Sequence, residues 1–197
     1  MLQPTLQSLA ILLATFHTVS ASAILPRAPS GAAISISGTS GNGCPKGTVT
    51  LDNLQGDAAR LSFKEFNTAV SGTRTKNCAI NIKMDYPAGY KVAVDHSRYE
   101  GRSEVSTGAT LTSYTTFYFS DNPAVSSTAD GKLQGPGGGS YVLPVDIASA
   151  KRAYTACGAT SAVLVMTTRQ ALGTSDAAAS GSASLVNQII ELDWVAC

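Results

Sequence analysis

Charge is scarce in this chain. Of its 197 residues 14% are Asp, Glu, Lys or Arg, and 14 basic residues against 13 acidic ones leave a formal net charge of +1. Such a balance supplies no electrostatic footprint for nucleic acid, and no acidic or basic tail stands apart from it. Aromatic residues make up 7%, with a single Trp, and of the two histidines only His96 lies beyond the first 23 residues. No Asn is followed two places on by Ser or Thr, so N-glycosylation is not expected. No C-x-x-C spacing points to zinc, and no G-x-S-x-G elbow points to an α/β-hydrolase nucleophile. Beyond residue 23, no stretch approaches the roughly 18 unbroken apolar residues that a membrane helix needs.

What is present begins with an export pattern. The run Leu9 to Phe16 (LAILLATF) precedes Ser20-Ala21-Ser22-Ala23, whose alanines occupy the two small-residue positions that a signal peptidase inspects. Residues 1–23 therefore read as a signal peptide, although no basic residue precedes the apolar run. Residues 24–33 read as a flexible N-terminal segment in which Arg27 offers a processing site, and 34–197 as one domain. The expected location is extracellular, with no membrane contact after cleavage.

Four cysteines, Cys44, Cys78, Cys157 and Cys197, lie in the mature chain. An even number in an oxidising compartment favours two disulfides over metal ligation. Three connectivities are possible. Cys44 with Cys78 and Cys157 with Cys197 is preferred because each pair closes a loop of moderate size between adjacent segments.

Alternation with a period of two dominates the rest. Leu61 and Phe63 alternate with polar neighbours, as do Ile80, Ile82, Met84 and Tyr86; Val92 and Val94; Leu111, Phe117 and Phe119; and Ile190, Leu192 and Trp194. Ile34 to Ser37, Thr48 to Leu51, Tyr141 to Val145 and Ala162 to Thr168 complete about nine strands by this reading. Gly/Pro/Asn-rich turns separate them, and no amphipathic segment is long enough for a crossover helix. The fold class expected is therefore all-β: an antiparallel β-sandwich, jelly-roll or Ig-like, stapled by two disulfides. Asp146 to Thr155 is expected to form a helical turn or two with Asp146 as N-cap.

Candidate chemistry is thin. His96 sits in the charged window Asp95 to Glu104, but consecutive strand residues point to opposite faces, so Asp95, His96 and Ser97 do not converge into a triad merely by adjacency. Paired carboxylates are available in Asp85, Asp95, Glu100, Glu104, Glu191 and Asp193, and glycoside hydrolysis needs two of them roughly 5 to 10 Å apart across a cleft. Most stand at polar strand phases or in turns, as solvated surface charge does. Gly135 to Gly139 reads as a flexible loop, available to a partner or a protease. Trp194 reads as core. Thr112, Tyr114, Thr116 and Tyr118 share the strand face opposite Phe117 and Phe119, a hydroxyl and aromatic stripe suited to stacking on sugar rings or meeting a protein. With His96 they form the candidate recognition surface. No catalytic residue, metal or cofactor is expected.

Gly43-Cys44-Pro45, Lys76-Asn77-Cys78, Tyr86-Pro87-Ala88-Gly89, Tyr99…Gly101…Val105, Tyr118-Phe119-Ser120, Cys157-Gly158 and Trp194-Val195-Ala196-Cys197 together resemble a family of small secreted fungal proteins, the domain-of-unknown-function family numbered 4360. The resemblance extends from about Ile34 to Cys197. It implies secretion, a β-rich fold and paired cysteines, and it carries over no catalytic residue. The resulting expectation is a secreted, monomeric, non-enzymatic protein acting by surface recognition, effector-like or associated with the wall of a filamentous fungus. Its partner would be a protein or a cell-wall polysaccharide. A carbohydrate-binding module or carbohydrate-active enzyme is the first alternative, and a protease inhibitor presenting Gly135 to Gly139 the second.

Overall fold

The computed structural model describes residues 28–54 and 57–197, so the expected signal peptide and Arg27 lie outside the described residues. The strands are β1 (Ala33–Ser40), β2 (Val49–Leu54), β3 (Ala58–Phe63), β4 (Asn67–Ala69), β5 (Thr75–Asp85), β6 (Tyr90–Val105), β7 (Ala109–Phe119), β8 (Ser126–Gln134), β9 (Gly137–Asp146), β10 (Ser161–Thr174) and β11 (Gly181–Ala196). They form two antiparallel sheets, one in the order β1-β5-β10-β7-β8 and the other β2-β3-β11-β6-β9, with β4 also pairing β11. After β4, every connection except the β7–β8 hairpin passes from one sheet to the other. The result is an all-β antiparallel sandwich, as the alternation implies.

Period-two alternation places Leu61, Phe63, Ile80, Ile82, Met84, Val92, Val94, Leu111, Phe117, Phe119, Leu164, Met166, Ile190 and Leu192 between the sheets, all buried. Burying such a side chain contributes about 1.5–3 kcal/mol, and together they hold the layers against each other. Trp194 is core too, packed edge-on to Tyr86 with ring centroids 5.4 Å apart. Two disulfides join Cys44 to Cys78, at a Cα separation of 5.4 Å, and Cys157 to Cys197, at 5.8 Å. The first ties the loop after β1 to β5. Gly41 is needed there: its φ is +123°, and a Cβ would collide with the Asn77 carbonyl.

The middle of the interlayer is polar. Gln188 of β11 donates through Nε2 to Ser97 Oγ and Thr115 Oγ1, each at 3.0 Å, and accepts from Thr168 Oγ1 at 2.7 Å. The Tyr99 hydroxyl lies 2.8 Å from Thr115 Oγ1 and 3.1 Å from the Ala129 carbonyl. Beside this group, Gln170 Nε2 donates to the Tyr141 hydroxyl at 2.7 Å. Every one of these groups is buried. Unpaired, each would cost about 1–3 kcal/mol; paired across the layers, they fix how the sheets sit on one another. Burial pushes the Tyr141 hydroxyl up to about 12 and Tyr99 higher still, so both remain neutral donors.

Four expectations need correction. β4 and β8 were not anticipated. The inward residues of β8 are Ser127, Ala129, Gly131 and Leu133, too small and polar to show an apolar alternation. The charged window Asp95 to Glu104 continues β6. Asp95 is an extra residue opposite the Glu191–Leu192 step, and this bulge puts Val94 and Ser97 inward while both Asp95 and His96 stay off the core face. Gly137 to Gly139 are not loop but the start of β9, paired with Val105, Glu104 and Ser103; only Gly135 and Pro136 turn the chain. A Cβ on Gly138 would meet only the mobile end of the Glu104 side chain, whereas Gly139 has a φ of +106°, which glycine adopts without strain. Finally, Asp146 caps no helix. A single 3₁₀ turn spans Ser149–Lys151 with Ala148 before it and no side-chain cap. The flanking residues are held extended by other partners: the Ile147 amide donates to Asp95 O, and the Ala153 amide to Ser127 Oγ.

Candidate functional site

The outer face of the five-stranded sheet collects the stripe. On β7, Leu111, Ser113, Thr115, Phe117 and Phe119 are buried while Thr112, Tyr114, Thr116 and Tyr118 are not. Cross-strand register then builds the face row by row. Asn77, Arg169, Tyr114 and Asp130 lie side by side on β5, β10, β7 and β8; Ala79, Thr167, Thr116 and Thr128 form the row on one side, and Thr75, Ala171, Thr112 and Lys132 the row on the other. Tyr114 is 37% exposed, among the most exposed large apolar side chains described. The Thr116 hydroxyl donates to the Tyr114 hydroxyl at 3.0 Å, and this bond two residues along one strand lays the ring down the strand. The aromatic surface is thereby held in place before any ligand arrives.

Two shallow depressions flank Tyr114. One, about 280 Å³, is lined by Thr75, Asn77, Tyr114, Thr167 and Arg169; the other, about 290 Å³, by Thr112, Tyr114, Arg169 and Ala171. Arg169 and Tyr114 border both. The volumes fall just below the range of about 300–1,000 Å³ usual for enclosed small-molecule sites. Each suits one ring resting on a surface. Neither Arg169 nor Asn77 stands out in the sequence. The cue was available only through pairing: both are outward residues at the height of Tyr114.

His96 is elsewhere, on the other sheet. Its Nδ1 lies 2.7 Å from Asp146 Oδ1, whereas Ser97 is buried and hydrogen-bonded to Gln188. The structure therefore joins His96 to an acid 50 residues away and turns Ser97 out of reach, and His96 does not share the Tyr114 face.

The acids are distributed among separate tasks. Asp85 pairs with Lys83 at 2.9 Å and Glu100 with Arg98 at 2.9 Å. Asp193 Oδ2 accepts from Arg152 Nη1 at 2.7 Å and from the Tyr154 hydroxyl. Arg152 also donates to the Ile147 carbonyl at 2.9 Å, so the pair clamps the 3₁₀ segment onto β11. Burial pushes the Asp95 carboxyl up, opposed by Arg152 and reinforced by Asp193 and Glu191. Of these two acids, Asp193 is held by the clamp. No group of three or more His, Cys, Asp or Glu side chains among the described residues is arranged to hold a metal ion.

A larger open groove, about 740 Å³, lies on the other sheet and includes Asn67, Arg102, Glu104, Ser140 and Ser182 in its lining. No aromatic ring lines it, so it offers hydrogen bonds and charge without a stacking surface.

Comparison with known proteins adds the following. An uncharacterized secreted protein of Arthroderma benhamiae is 29% identical over 174 residues, covering 80% of this chain and 68% of that protein. Among solved structures, TmCBM61 in complex with β-1,4-galactotriose is similar at a TM-score of 0.27 and 11% identity, covering 87% of this chain and 92% of that one. The enzymatically active domain of bacteriophage CBA120 tailspike protein 4 follows at a TM-score of 0.22 and 14% identity, covering 85% of this chain and 20% of that one. Both structural likenesses are weak. The protein is secreted, and its two bridges fit an oxidising extracellular setting. Residues 30–197, nearly all of the described chain, match one family throughout, and the chain belongs to it: the domain of unknown function DUF4360.

Proposed function

We propose that the protein is a secreted recognition module that binds cell-wall polysaccharide through the outer face of its five-stranded sheet, without cleaving it. The observation that carries this reading is the Tyr114 ring, laid along β7 by Thr116 between two ring-sized depressions. Sugar rings present apolar C–H faces and equatorial hydroxyls. A fixed aromatic face takes the first, and the amide of Asn77 with the hydroxyls of Thr75, Thr112 and Thr167 takes the second. The rows of short hydroxyl side chains around Tyr114 leave the face open to a polymer that runs on in either direction.

Co-sedimentation tests it. The oxidised protein is incubated with insoluble chitin, β-glucan, cellulose and whole fungal or plant wall material, and both protein depletion and soluble sugar release are followed. The expected result is depletion from at least one polymer without sugar release, lost in Tyr114→Ala. Sugar release would move the function to the carboxylates. Failure to bind any of the four would overturn the reading in favour of a protein partner.

A further inference from the structure

We infer that the polysaccharide recognised by the Tyr114 face is acidic, with a carboxylate on its sugar units; this rests on the reading of that face as saccharide-binding. Three outward charge groups occupy the strands of this face: Lys83 with Asp85 on β5, 2.9 Å apart; Lys132 with Asp130 on β8, 3.6 Å apart; and Arg169 on β10. The first two are internally neutralised. Arg169 is exposed and forms no ion pair among the described residues.

Its position is as telling as its charge. Arg169 is the direct cross-strand partner of both Tyr114 and Asn77, and it borders both depressions. A planar guanidinium beside an aromatic ring suits a carboxylated sugar: the ring stacks, and the carboxylate takes the fork of N–H donors. Asp130 stands one strand farther, beyond Tyr114, and is occupied by Lys132, so the side open to an incoming anion is the β5 side, where Asn77 offers an amide. Two depressions of nearly equal volume on either side of one cation match two consecutive units of a chain, with the carboxylate of either within reach of Arg169.

Affinity electrophoresis of the folded, oxidised protein in polygalacturonate, in its fully methyl-esterified form and in a neutral soluble β-glucan tests the inference. Esterification removes the charge and leaves the polymer otherwise alike. The wild type is expected to bind the acid form about tenfold or more tightly than the ester. Arg169→Gln should erase that preference, the acid form then binding no more tightly than the ester, and Arg169→Lys should keep part of it. Salt of about 1 M, which shortens the Debye length to about 3 Å, should shrink the preference in the wild type and do nothing to Arg169→Gln. Ester or neutral glucan bound as well as the acid, with Arg169→Gln indistinguishable from wild type and Tyr114→Ala still defective, overturns the acidic ligand and leaves the saccharide reading standing. No binding to any of the three polymers also overturns the acidic ligand, and depletion by chitin or cellulose in the co-sedimentation experiment would then leave the saccharide reading standing.

Discussion

Along β7, the inward Ser113 and Thr115 alternate with the outward Thr112, Tyr114, Thr116 and Tyr118, so hydroxyls line both faces of one strand. Inside, Thr115 is surrounded by Tyr99, Thr168 and Gln188, and its hydrogen-bonding capacity is consumed in holding the two layers together. Outside, Thr116 fixes one aromatic ring, while the hydroxyls lining the two depressions remain turned to solvent. The same chemistry is thus structural on one face and available for recognition on the other. What separates the two uses is water: an unmet hydroxyl is costly only where water cannot reach it.

The strongest way to break this contrast is at Gln188. Gln188→Ala removes three buried hydrogen bonds, to Ser97, Thr115 and Thr168, and leaves a cavity, and it is expected to cost about 3–5 kcal/mol, read as a lower midpoint in urea denaturation. A matched pair of neighbours sharpens it. Thr115→Val should cost about 1–3 kcal/mol, whereas Thr116→Val, one residue along, should change stability by less than about 0.5 kcal/mol. Equal losses at the two positions would mean that the outer face is structural as well. Tyr114→Ala is the reciprocal test: binding to the cognate polymer should fall about tenfold while thermal stability stays within about 0.5 kcal/mol of wild type.

The smallest effect belongs to the other sheet and marks an exception. Asp95 stays off the core face, yet burial raises its carboxyl above the ordinary value of 3.8. The folded protein therefore holds that proton more tightly than the unfolded chain. Its stabilising effect is complete below pH 3.8 and is lost as pH rises through the raised value. Solvent reaches the site, so the effect is modest: Asp95→Asn should stabilise the protein by about 0.5 kcal/mol at pH 7 and leave it unchanged near pH 3, measured by thermal unfolding across pH.

Much of the sandwich could be read from residue order, because Ile80, Ile82 and Met84, or Leu111, Phe117 and Phe119, carry hydrophobicity at the period that a half-buried strand imposes. β8 escaped because the alternation there is one of size rather than polarity. The polar interior escaped for a related reason: Gln170 and Gln188 look like surface residues until the packing of one sheet on the other sets them against Tyr141 and Thr168. The Tyr114 stripe was legible on its own strand, while Arg169 and Asn77, from β10 and β5, joined it only through pairing between distant segments. His96 failed in the opposite direction. Its local neighbours suggested chemistry, but the bulge at Asp95 and the pairing with β9 gave it Asp146 instead.

That bulge is one of three among the described residues. Ser37 on β1 and Val186 on β11 are likewise extra residues with no opposite number on the adjacent strand. Around each, removing the extra residue restores strict alternation without exchanging inside for outside: Val94, His96 and Ser97 would run in, out, in, as would Leu185, Asn187 and Gln188. Removing an interior residue of β6 or β11 away from the bulges inverts every side chain beyond it. For the gene, this divides codons into two kinds. A three-nucleotide deletion at 37, 95 or 186 shortens the protein and keeps its core, whereas the same deletion at 99 or 190 turns a buried strand inside out, so natural length variation within these strands should concentrate at the bulges.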